Sequence, residues 1–166
     1  VNEFSDFARM PKPILKNNNL VSIINENINL LNDMDRTIEI KLNYNKEQII
    51  LNSDYEQISR VFLNLIKNSI ESIQEKKQEI PNLKGKIDIV INENDDYMNL
   101  IVTDNGKGFG NLKNNIKDIL NPYFTTKANG TGLGLAIVNK IINDHNGSIN
   151  FTTIDDGAEI KVKFKK

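Results

Sequence analysis

Between Asp104 and Leu135 the chain gathers residue types suited to holding phosphate. Asp104-Asn105-Gly106-Lys107-Gly108-Phe109 comes first, Pro122-Tyr123-Phe124-Thr125-Thr126-Lys127 follows, and Gly130-Thr131-Gly132-Leu133-Gly134-Leu135 closes the stretch. Glycine lets backbone N–H groups approach oxygen atoms closely, so two glycine clusters around a long polar segment suit a cover over a phosphate-bearing ligand. Two other phosphate motifs do not fit. The last cluster is GxGxG, one residue short of the dinucleotide fingerprint, and it follows a polar loop instead of a strand. No GxxxxGK[ST] occurs anywhere. A helix starting near Leu133 would point its positive end at an anion held by Gly130, Gly132 and Gly134, and Lys127 would add a point charge for a terminal phosphate.

These residues need elements to hold them. Ser53-Asp54-Tyr55-Glu56 reads as a capping box with Ser53 as N-cap, opening a long helix toward Gln78. At about 100° per residue, Ile58, Val61, Phe62, Leu65, Ile66, Ile70 and Ile73 share one broad face, while Arg60, Asn64, Lys67, Asn68 and Glu71 share the other. Lys86–Asn92 and Tyr97–Asp104 read as a hairpin around Asn94-Asp95-Asp96. Its second strand aligns Met98, Leu100, Val102 and Asp104 on one face, so a carboxylate ends the buried row and requires donors. Leu133–Asn146 reads as a helix with Ile137, Val138, Ile141 and Ile142 inward and Gly147 as its stop. Ser148–Thr153 and Glu159–Phe164 alternate like strands around Asp155-Asp156-Gly157. Upstream, Leu20, Ile23, Ile24, Ile28 and Leu31 repeat at helical spacing. Ile38, Ile40 and Leu42 alternate as a strand, and Ile49–Leu51 is a short second one. Helices mixed with hairpins, without regular βαβ alternation, predict an α+β two-layer sandwich with helices on one face of a mixed sheet.

Composition narrows the classes of function. The chain has 166 residues, enough for one domain with a real core, and Lys+Arg 21 against Asp+Glu 22 gives no global field to attract nucleic acid or anionic lipid. It has no Cys and one His, which excludes thiolate chemistry, a disulfide framework and a His-rich metal site, and suggests a cytoplasmic setting. Asn occurs 27 times, so one Asn alone carries little weight. Grouping is what counts. Asn64 and Asn68 on a helix, Asp104 at a strand end before Gly106 and Gly108, and a second glycine cluster opening a helix together describe a nucleotide pocket. Asp104 would accept from an exocyclic amine of the base, and the Asn amides and Glu71 would offer oxygens to Mg²⁺ or its waters.

In that order the motifs resemble those of the catalytic domain of sensor histidine kinases. Asn64-Leu65-Ile66-Lys67-Asn68-Ser69-Ile70-Glu71 is similar to its N box, Asp104–Phe109 to its G1 box, Pro122–Lys127 to its F box and Gly130–Leu135 to its G2 box. The resemblance covers roughly Leu51–Lys166 and implies the Bergerat ATP-binding fold shared with gyrase and MutL. It further implies ATP and Mg²⁺ as ligands, Asn68 as the Mg²⁺ ligand, Asp104 as the adenine reader and Phe124 as a lid anchor. Thr126, Lys127, Gly130, Thr131, Gly132, Leu133, Gly134 and Leu135 join them among the nucleotide-contacting residues. Val1, Phe4 and Ala8 stand at helical spacing before Pro11-Lys12-Pro13 stops the helix, and Val1–Pro13 resembles the end of the dimerisation helix of NtrY-type nitrogen-regulation kinases, which divides the chain at 1–13 and 14–166. ATPases of the same superfamily resemble one another in carrying Glu at the position of Asn64, where it takes a proton from water. Asn cannot act as that base, which favours transfer to a protein acceptor by Asn64, Asn68 and Lys127 over hydrolysis. A GHKL-type ATPase and a non-catalytic nucleotide-sensing module are the competing readings.

For this family the acceptor is a His on a helical dimerisation domain. His145 lies instead in Asp144-His145-Asn146-Gly147 at a helix end, where a structural role is expected. The implied partners are therefore the histidine-containing dimerisation domain of the same protein and a downstream response regulator. No nucleic acid is expected, and the full-length protein is expected to be a homodimeric, membrane-anchored sensor.

Overall fold

The computed structural model describes residues 10–108 and 134–166. In chain order the elements are β1 (Lys16–Asn19), α1 (Leu20–Asn32), β2 (Ile38–Tyr44), β3 (Ile50–Ser53), α2 (Tyr55–Glu79), β4 (Gly85–Glu93), β5 (Tyr97–Asp104), α3 (Gly134–Asp144), β6 (Gly147–Ile154) and β7 (Gly157–Lys165). Five strands form the main sheet in the order β2-β4-β5-β7-β6. Among the described strand pairs β2 and β4 alone run parallel, a pairing that needs a crossover, and α2 lies within that crossover. The other pairs are antiparallel, with Asp104 opposite Ile87 on one side and Ala158 on the other.

Alternation along the strands selects the buried face. Ile87, Ile89 and Ile91 of β4, Met98, Leu100 and Val102 of β5, and Ile160, Val162 and Phe164 of β7 are buried. Their neighbours Lys86, Asp88, Asn99, Lys161 and Lys163 point to the opposite face and are at least partly exposed. Among the described residues, three helices complete a single core, with α2 packed against both α1 and α3. All seven apolar positions expected on α2 are buried. Each such side chain contributes about 1.5–3 kcal/mol of burial, so this helix is fixed in rotation by its apolar face. The arrangement is the α+β sandwich that the patterning implies.

Local details depart from the sequence reading in three places. The N-cap of α2 is Asp54, not Ser53: its side chain accepts from the Gln57 N–H at 3.1 Å. Ser53 stays extended at the end of β3, fully buried, with its hydroxyl turned back to the Leu51 carbonyl at 3.0 Å. Second, α3 ends through Asn146, the non-glycine residue with φ of 58°, and not through Gly147. Gly147 is needed for room, since a Cβ there would stand 2.7 Å from the Lys163 carbonyl oxygen. Third, β3 leaves the main sheet and pairs with β1, a strand of Lys and Asn that no alternation announces. Backbone pairing and an Asn18 side-chain bond to the Ser53 carbonyl at 2.9 Å hold it. The helix expected before Pro11 lies outside the described residues.

Candidate functional site

The buried row of β5 ends in Asp104, which is 5% exposed. Its Oδ1 accepts from the Gly106 N–H at 2.9 Å, the turn that a carboxylate two residues before a glycine favours. Burial pushes the carboxyl above the ordinary carboxylate range. The Gly106 N–H, the Ser69 hydroxyl, the Lys76 charge and the Ala158 N–H pull the other way without cancelling that rise.

Ser69 is part of this site although the sequence reading passed over it. Its Oγ is buried and near enough to act on the Asp104 carboxyl, yet it makes no hydrogen bond of full geometry. A buried hydroxyl without a partner is costly unless something else satisfies it. A carboxylate acceptor beside an unpaired hydroxyl matches one edge of adenine, where an amine donor sits next to a ring-nitrogen acceptor. On this observation the residues present fit an adenine nucleotide.

Helix α2 supplies the second wall. Asn64, Asn68, Ser72 and Lys76 follow one another at intervals of four and so form one slowly drifting stripe. At its lower end the stripe is fastened to the Asp104 loop. The Lys107 N–H donates to Ser72 Oγ at 2.9 Å, and Lys76 Nζ donates to the carbonyls of Asn105 and Gly106 at 3.1 and 3.2 Å. From Ser72 the stripe climbs about 6 Å per step to Asn68 and then Asn64, both half-buried. That extension leads away from Asp104 along the helix. Asn68 and Glu71 both engage in polar interactions. A neutral amide beside a carboxylate suits Mg²⁺, which takes few protein ligands when phosphates and water supply the rest.

The glycines of the loop have distinct reasons. A Cβ on Gly106 would stand 2.8 Å from Ser72 Cβ, and Gly108 has φ of 72°. Gly157, which the sequence marked only as a turn residue, presses hardest: a Cβ there would stand 1.8 Å from the Asp104 carbonyl oxygen. Asn105 is turned to β4 instead. Its side chain accepts from the Lys86 N–H and donates to the Lys84 carbonyl, both at 2.8 Å.

Gly134 opens α3 with none of the described residues within 4 Å of a would-be Cβ, while Leu135 is half-buried against the core. The remaining expected ligands, Phe124, Thr126, Lys127, Gly130, Thr131, Gly132 and Leu133, lie outside the described residues. His145 is 5% exposed, with Nδ1 2.7 Å from the Ile141 carbonyl oxygen and Nε2 accepting from the Asp54 N–H at 3.0 Å.

Comparison with known proteins shows the family and the fold. Residues 53–166 match the family described as histidine kinase-, DNA gyrase B-, and HSP90-like ATPases. An NtrY-like sensor histidine kinase of Rickettsia conorii is 36% identical over 165 residues, which cover 99% of this chain and 26% of that protein. The chain thus spans about a quarter of the length of the curated relative it matches. Among solved structures, the nucleotide-free catalytic domain of histidine kinase ThkA superposes with a TM-score of 0.79 at 28% identity, covering 92% of this chain and 96% of that one. The same kinase in complex with the response regulator TrrA gives 0.73 at 26% identity, covering 92% of this chain and 42% of that one.

Proposed function

This chain belongs to the histidine kinase-, DNA gyrase B-, and HSP90-like ATPase family, and from that premise we propose that it is the ATP-binding catalytic part of an NtrY-like two-component sensor histidine kinase. It passes the γ-phosphoryl group of ATP to a histidine carried by a dimerisation domain of the same protein. The observation that carries this reading is the buried Asp104 carboxylate beside the buried Ser69 hydroxyl, which makes no hydrogen bond of full geometry, at the foot of a helix stripe that leads to Asn68 and Asn64.

In this reading Asp104 and Ser69 hold the base, with Gly106 and Gly108 giving the loop its close turn. Asn68 is the Mg²⁺ ligand, and Glu71 orders its waters. When bound, Mg²⁺ neutralises charge on the phosphates. Asn64 lines the phosphate end, where an amide cannot take a proton from water, so hydrolysis stays slow. Phe124 and Thr126 belong to the lid, Lys127 meets the terminal phosphate, and Gly130, Thr131, Gly132, Leu133, Gly134 and Leu135 wrap the chain around it. Residues 1–13 end the dimerisation helix and 14–166 form the catalytic domain. The partners are that dimerisation domain, within a homodimer, and a response regulator. Among the described residues no helix is long and apolar enough to cross a membrane. The setting this reading implies is the cytoplasmic side of a membrane-anchored sensor.

Calorimetry with Mg-ATP tests the site. Wild type should bind, and Asp104→Ala and Asn68→Ala should each weaken binding at least tenfold. Phosphoryl transfer to a separately supplied dimerisation domain bearing its histidine tests the activity. Unchanged binding by both variants, or rapid ATP hydrolysis without transfer, would overturn the proposal.

A further inference from the structure

Lys76 sits near the end of α2, where a lysine ordinarily faces solvent and complements the negative end of the helix. Here its ammonium is committed elsewhere. Nζ lies 3.1 Å from the Asn105 carbonyl oxygen, 3.2 Å from that of Gly106 and 3.2 Å from that of Asp156. An ammonium has three donors, and three carbonyls take them. Two belong to the loop after β5 and one to the turn between β6 and β7, segments some fifty residues apart.

The same two segments touch through glycines. Gly157 lies against the Asp104 carbonyl, and Gly108 lies against the Gly157 carbonyl, where a Cβ would be 2.7 Å away. Missing side chains allow that approach but supply no attraction. Carbonyl oxygens crowded together repel one another, and a cation placed among them reverses the sign of the interaction.

We propose that Lys76 is a positioning residue of the nucleotide site: it staples the Asp104–Gly108 loop to the Asp155–Gly157 turn and thereby presents the Asp104 carboxylate to the base. The inference rests on the reading of Asp104 as the base acceptor. Because its donors are occupied by carbonyls, Lys76 acts on base recognition and not as a phosphate ligand. Lys77 is the natural control. It has the same side chain one residue on, but its Nζ bonds Thr37 Oγ1 at 2.5 Å, away from this loop.

The test compares ATP and GTP binding by wild type, Lys76→Met, Lys76→Arg and Lys77→Met, each below its own Tm. Guanine offers an acceptor where adenine offers the amine, so an ordered Asp104 discriminates between them. Lys76→Met should lose about tenfold in ATP affinity, and its preference for ATP over GTP should shrink by a similar factor. Lys76→Arg should recover part of that preference, and Lys77→Met should keep all of it. If Lys76→Met fails to fold, the ATP-to-GTP ratio of Lys76→Arg decides, since a guanidinium cannot reproduce a three-carbonyl cradle and should reduce the ratio. A wild-type ratio in the folded Lys76 variants, while Asp104→Ala abolishes binding, would overturn the role of Lys76 alone. Absence of ATP binding by wild type would overturn the reading of the site with it.

Discussion

The backbone N–H of Asp54 donates to Nε2 of His145 at 3.0 Å, tying the start of α2 to the end of α3 across 91 residues of sequence. The same Asp54 side chain caps α2 and accepts from the Ile14 N–H at 2.9 Å, so three segments meet on one residue. Because Nε2 accepts, the ring proton sits on Nδ1 and is donated to the Ile141 carbonyl at 2.7 Å.

His145→Ala would leave the part-buried Asp54 N–H without its acceptor and take from the Ile141 carbonyl one of its two donors, the other being the His145 backbone N–H. The expected loss is roughly 2–4 kcal/mol, read in urea unfolding, with Tm lower by roughly 5–15 °C. A variant as stable as wild type would show that water replaces the ring.

Both ring nitrogens of His145 are engaged and the residue is buried, so it offers no nucleophile. Incubating this chain alone with radiolabelled ATP should therefore give no stable label. Label on His145, located by mass spectrometry, would contradict both the tautomer and the need for an acceptor in trans.

Asp104 gives a pH signature. Its carboxyl is raised above 3.8 by burial, so the folded state holds its proton more tightly than the unfolded chain. The associated stability is fully present below 3.8 and is lost as pH rises through the higher folded value. Asp104→Asn should remove that decline and be as stable as wild type, or more so, at neutral pH. With Asp104 as the proposed base acceptor, nucleotide binding should fall on acidification before an ordinary exposed Asp would titrate. The variant should lose about 10–100-fold in ATP affinity. Titration calorimetry across pH checks both halves, and wild-type affinity in the Asn variant would remove Asp104 from the site.

Ser69→Ala separates fold from ligand. Deleting a hydroxyl that has no full hydrogen bond should change stability by no more than about 0.5 kcal/mol, while ATP affinity should fall about 2–10-fold. Equal ATP binding with equal stability would show that the hydroxyl meets no ligand.

Gly157→Ala should do the reverse of a surface change. Its Cβ would overlap the Asp104 carbonyl oxygen, so either β7 or the Asp104 loop must move. A cost of about 1–3 kcal/mol, or more, should accompany loss of nucleotide binding, measured by thermal unfolding and calorimetry on the same sample. A stable variant that binds normally would mean the strand end yields without disturbing the site.

The described part of the candidate site was legible in the sequence insofar as it depends on residue type and local spacing. Asn64 and Asn68 fall on the polar face of a helix whose apolar face is set by a 3.6-residue period, and period-two alternation alone places Asp104 in the buried row. The same patterns gave the α+β layers. What the sequence could not supply is which distant segments touch. Ser69 adjoins Asp104, Lys76 collects three carbonyls and Gly157 presses on β5 because the sheet brings β5 beside β7 and under α2, and no periodicity encodes that approach. The strand β1 escaped notice for a related reason: its ladder is made by backbone groups that every residue carries. Sequence alone determined which groups were available for nucleotide chemistry. The tertiary structure decided which of them share a desolvated space, because burial and close approach exist only once the chain has folded.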